Sequence, residues 1–175
     1  MANKEISIII IILLVFVFAY FTLPFVLIGL DNASKPNPPE PEITYGEFPF
    51  KLVYEISGEQ KVIEDTVICE YDGIGIGSGS KYRKWKSRLA SGNKEVILLR
   101  IDNKKHIYYL VGSPSYYMGD MRKNTTWEHF FPDAFLHDAK GFGMNDKIKA
   151  DELLSEYGIK LISWEPSPPI VNSFR

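Results

Sequence analysis

A single cysteine, Cys69, excludes any disulfide within the chain, so an exported form of this protein must be held together by its core alone. Excess charge is missing too. The 20 basic and 22 acidic residues leave a net charge of −2, with only Lys4 and Glu5 lying before residue 31, and that balance argues against a globally basic nucleic-acid binder. The most informative absence is local: from Ile6 to Leu30 the chain carries no charged residue at all.

That run, "ISIIIIILLVFVFAYFTLPFVLIGL", spans roughly 37 Å as a helix, enough to cross a hydrocarbon core of about 30 Å with some tilt. It is too long for the apolar core of a cleaved signal peptide, and Asp31-Asn32-Ala33 makes a poor cleavage site. No cysteine near residue 30 offers a lipoprotein anchor. The reading is an uncleaved transmembrane anchor over 6–30, with Pro24 tolerated near its end. The amino group and Lys4 flank one side and Lys35 the other, so the charge bias places residues 1–5 in the cytoplasm and the remainder outside. Residues 31–47, "DNASKPNPPEPEITYGE", read as a proline-rich stalk, and 48–175 as an extracytoplasmic domain.

Within that domain, Phe48, Phe50, Leu52, Tyr54 and Ile56 alternate with mostly polar neighbours, the period of a half-buried strand. "KVIEDTVICEY" reads as its hairpin partner, with Val67, Cys69 and Tyr71 on one face and Cys69 as a small buried hydrophobe. "EVILLRI" and "HIYYLVG" form a second pair across a short polar link. Tyr82, Trp85 and Leu89 fall at i, i+3 and i+7, which predicts a short helix closed by Gly92. A second helix is expected from Pro132 to Lys140, a third over "KADELLSEYG" ending at Gly158, and a last strand over "IKLISWE". The expected fold class is α+β: a transmembrane helix, then a mainly antiparallel sheet of about five strands with two to three short helices.

Several stretches invite a chemical reading. Glycines at 73, 75, 77 and 79 do not match the dinucleotide fingerprint G-x-G-x-x-G and are expected to form a flexible connection. Ser78-Gly79-Ser80-Lys81 matches S-x-x-K but lacks the companion elements of an acylating serine enzyme. Lys81, Arg83, Lys84, Lys86 and Arg88 crowd around Tyr82 and Trp85, a patch suited to anionic lipid or an anionic wall polymer; an amphipathic helix with solvated charges is the simpler reading. Glu128, His129, Asp133, His137 and Asp138 form the one cluster with acid/base or metal chemistry, with Asp133 and His137 spaced to share a helical face, yet no tight ligand motif appears and a surface ion pair is the simpler reading. The aromatics Tyr108-Tyr109 and Tyr116-Tyr117 with Met118 suit a sugar-stacking platform or simple packing. Asn124-Thr125-Thr126 reads as a glycosylation sequon or a helix cap.

The stretches "ITYGEFPFKLVYEI", "IEDTVICEYDG", "KYRKWKS" and "YYMGD" resemble a set of small, uncharacterised, membrane-anchored proteins of Gram-positive bacteria, across most of residues 43–120. The resemblance implies a bacterial envelope and carries no catalytic residue with it. The expected function is a single-pass, non-catalytic binding module of the cell envelope, without cofactor or metal. Its expected partners are the membrane through 6–30, an anionic lipid or wall polymer, or another protein, and not nucleic acid. The alternative is a small envelope hydrolase or metal-dependent enzyme built on Glu128, His129, Asp133 and His137.

Overall fold

The computed structural model describes residues 2–77, 80–121, 129–138 and 145–175. In chain order the elements are α1 (Ala2–Ser34), β1 (Tyr45–Ile56), β2 (Glu59–Gly77), β3 (Ser80–Leu89), β4 (Val96–Arg100), β5 (Lys105–Tyr109), α2 (Pro114–Tyr117), β6 (Ala134–Asp138), β7 (Asn145–Ile148), α3 (Ala150–Tyr157) and β8 (Ile159–Pro166). The α+β class holds, but the strands form two four-stranded sheets in place of one sheet of about five: β3-β2-β1-β8 and β4-β5-β6-β7. The chain folds as two compact units, one made of residues up to Pro39 with Gly73–Lys84, the other of Glu40–Asp72 with Trp85–Arg175.

In the larger unit, alternation decides which side chains enter the core. Phe48, Phe50, Leu52 and Tyr54 of β1, Val67 and Cys69 of β2, and Trp85 and Leu89 of β3 meet Val96 and Leu98 of β4, Ile107 and Tyr109 of β5, and Ala134 of β6 in one buried cluster. Ser57 and Gly58 both take positive φ, 53° and 79°, so a two-residue turn joins β1 to β2 with Ile56 opposite Glu59. Helix α3 lays Leu153, fully buried, into the same core and ends where Gly158 turns left-handed at φ 64° and returns its N–H to the last carbonyls.

Two expected helices are strands. Residues 80–89 form β3, because Trp85 and Leu89 are an even number apart and share a strand face as readily as a helical one; Tyr82, an odd number away, takes the other side. Residues 134–138 form β6, and Pro132, joined to Phe131 by a cis bond, precedes that strand and opens no helix. Nor are residues 71–77 a flexible connection: β2 continues to Gly77. The stalk is also shorter than expected. α1 runs to Ser34, and from Glu40 onward the chain is paired with the C-terminus: Glu40 and Arg175 exchange backbone hydrogen bonds of 2.8 and 3.0 Å, and Glu42 N–H donates to the Ser173 carbonyl at 2.9 Å. Asn172 completes the strap by accepting from Ile43 N–H at 3.0 Å and donating back to its carbonyl at 2.8 Å.

In the smaller unit, α1 is long and apolar enough from Ile11 to Ser34 to cross a membrane, and its large side chains from Ile11 to Leu30 lie open. Thr22 Oγ1 donates to the Phe18 carbonyl at 2.9 Å in the turn just before Pro24. The expected sequon at 124–126 lies outside the described residues.

Candidate functional site

β3 is an edge strand, and edge strands expose unpaired backbone groups that charged side chains shield from further pairing. Its cations have distinct environments. Lys81 Nζ donates to the Ala33 carbonyl at 3.2 Å and to Asn37 Oδ1 at 3.0 Å, and Arg83 Nη1 donates to the Pro39 carbonyl at 3.1 Å. A lysine on Ala33 meets the negative end of the α1 dipole and one of the carbonyls that the helix leaves without a partner. Lys86 and Arg88 both approach Glu70, at 3.2 and 3.8 Å, pairs too exposed to contribute much stability. Lys84, Lys86 and Arg88 alternate with Trp85 and Leu89, so they project from the solvent face of the strand while Trp85 is 8% exposed beneath it. Trp85 Nε1 donates to Asp120 at 2.8 Å, and its ring meets Tyr71 edge-on with centroids 5.3 Å apart.

The alternating glycines answer to Tyr82. A Cβ at Gly75 would lie 2.5 Å from the Tyr82 ring and one at Gly77 3.4 Å from it, so glycine leaves the strip on which the ring rests. Gly73 serves the backbone, with φ 81° inside β2, a left-handed conformation that side chains seldom adopt.

The expected acid/base cluster is divided. Asp133 and His137 lie four residues apart along the chain, about 13 Å at strand rise, not on one helical face. Asp133 is committed elsewhere: Oδ1 accepts from Ala150 N–H at 3.0 Å at the start of α3, and Oδ2 pairs with Lys147 at 2.8 Å. His129 is exposed ahead of β6, and Glu128 lies outside the described residues. His137 instead stacks on His106, its cross-strand partner in β5, with ring centroids 4.8 Å apart. His106 Nε2 also meets Glu95 at 2.5 Å. His106 carries no signal in the sequence, because only the pairing of β5 with β6 brings it to His137. Among the described residues no three histidines, cysteines or carboxylates gather as metal ligands.

Other groups are structural. Tyr109 and Tyr117 are almost fully buried, and burial raises both phenols above their ordinary range; packing, not a sugar platform, accounts for them, with Tyr117 4.8 Å from the Phe48 ring. Burial likewise pushes the Cys69 thiol up to about 12, which makes it inert. An open cleft of about 490 Å³ is lined by Lys51, Glu64, Asp65 and Glu165 among others. Its Asp65 is engaged by Ser91, through N–H at 3.1 Å and Oγ at 2.5 Å, which pins the connection after β3.

Comparison with protein-family models, with curated proteins and with solved structures finds no match.

Proposed function

We propose that the chain is a single-pass protein of a bacterial cell membrane, with its N-terminus in the cytoplasm and an extracytoplasmic, non-catalytic domain that binds an anionic component of the envelope. The observation that carries this reading is the grip of Lys81 and Arg83 on the carbonyls of Ala33 and Pro39, which ties the basic strand to the exit of the apolar helix. Lys84, Lys86 and Arg88 then form the cationic face, partly offset by Glu70. Successive cations on that face stand about 7 Å apart at strand rise, inside a Debye length of about 8 Å, so they act together on a polyanion or a headgroup layer. The charge bias about the apolar run supports the orientation, and the resemblance to Gram-positive membrane-anchored proteins supports the host envelope. A non-catalytic role is supported by the division of the acid/base cluster between separate structural tasks and by the burial of the inert Cys69.

The test uses the full chain in nanodiscs with added long-chain polyphosphate. Binding is expected to weaken steeply between low and physiological salt, and Lys84→Ser, Lys86→Ser and Arg88→Ser together are expected to abolish it. These three leave Lys81 and Arg83 on the linker. Each cation contributes about 1 kcal/mol near an anionic surface, so the triple variant should lose roughly a hundredfold in affinity, enough to take weak binding below detection. Equal binding by wild type and triple variant at low salt refutes the reading.

A further inference from the structure

Along β3 and the linker the contacts run in step. Lys81, one residue into β3, reaches Ala33 and Asn37, while Arg83, two residues further into the strand, reaches Pro39. The start of β3 is therefore held against the end of α1 and the residues that follow it up to Pro39. β2 and β3 are neighbours in the sheet, and a Cβ at Gly75 would meet the Tyr82 ring, so Ile76, the next residue of β2, lies beside the start of β3. The last turn of α1 is itself covered on one side: Asn32 is 7% exposed between the open Asp31 and Ala33.

The side chains here are not those of a strand made for water. Ile76 is 63% exposed and Tyr82 37%, and the Tyr82 ring rests against Gly75 and Gly77. A tyrosine, an isoleucine and a lysine at the end of an apolar helix make up the composition that anchors chains at a membrane–water boundary.

We propose that Ile76 of β2 and Tyr82 of β3 make a second membrane contact, entering the boundary between headgroups and acyl chains beside the last apolar turn of α1. The proposal rests on α1 being a membrane span. A lone span leaves the strand pair free to tilt toward or away from the membrane surface, and a second contact there restrains that tilt.

Site-directed spin labelling of the full chain in nanodiscs tests it. Cys69 is fully buried and so shielded from the reagent, and Ile76→Cys and, separately, Leu30→Cys should each take a single nitroxide. Wild type treated in parallel should take up none. The expected result is that both labels collide with oxygen more often than with a water-soluble nickel chelate, each with a ratio several-fold above that of free label in buffer. A lipid-like Leu30 label beside a water-like Ile76 label overturns the second contact and leaves the span standing. Water-like behaviour at both positions overturns the span, and the second contact with it.

Discussion

Asn172, close to the C-terminal Arg175, carries the seam between the linker's distal half and the C-terminus, and Asn172→Ala should cost far more than its place in a terminal tail suggests. Its side chain accepts from Ile43 N–H at 3.0 Å, donates to the Ile43 carbonyl at 2.8 Å and donates to the Met118 carbonyl at 3.2 Å. A net contribution of about 1 kcal/mol for each bond gives roughly 3 kcal/mol. Ile43 is 39% exposed, so water replaces part of what its backbone loses; Met118 is fully buried, and its carbonyl has less recourse to water. The expected loss is about 2 kcal/mol. With a urea dependence of about 2 kcal/mol per molar, the unfolding midpoint of the full chain in detergent micelles should fall by roughly 1 M, read by tryptophan fluorescence. Asn172→Asp keeps only the acceptor and sets a carboxylate against two carbonyls, so it should be at least as damaging. Val171→Ala, at a side chain 95% exposed, is the control and should change nothing. An Asn172→Ala midpoint indistinguishable from wild type would falsify the reasoning, because the strap would then contribute nothing to the fold.

The remaining expectations follow from single environments. Trp85→Ala should destabilise by about 3–5 kcal/mol in the same urea assay, since it empties a buried site and takes a hydrogen-bond donor from the Asp120 carboxylate; loss of polyphosphate binding without loss of stability would contradict its place in the core. Gly75→Ala should displace the Tyr82 ring at a cost near about 1 kcal/mol, and Tyr82→Ser should remove most of that cost, a coupling visible in a double-mutant cycle. Alkaline pH should destabilise the chain in a defined order. The Cys69 thiol and the Tyr109 and Tyr117 phenols are raised in the fold by burial, so their contribution is complete below the ordinary values of 9.0 and 10.0 and is lost as pH rises through and above them. Cys69→Ala should delay the onset of that loss; an onset near about pH 7 in wild type would point to other groups. A reporter active only in the cytoplasm, fused after Arg175, should be silent, and activity there would reverse the orientation.

Features whose signal is local can be read from the residues alone. Twenty-five uncharged residues from Ile6 to Leu30 dictate an apolar helix because no other backbone arrangement satisfies its own hydrogen bonds over that length without water. Alternation from Phe48 to Ile56 dictates β1, and Gly58 lets its chain reverse; Gly158 likewise ends α3, because both need a conformation glycine adopts freely. Packing settles what local spacing leaves ambiguous. Trp85 and Leu89 satisfy either period, and the choice fell to β3 because β2 offers it a ladder of partners while the glycines at 75 and 77 receive Tyr82 on the opposite side. His137 acquired a neighbour in His106, not in Asp133, because strand register, which depends on residues far apart in the chain, sets who stands across from whom. The basic stretch was legible as charge, but its attachment to Ala33 and Pro39 was not, because that attachment exists only once β3 has folded back along the linker.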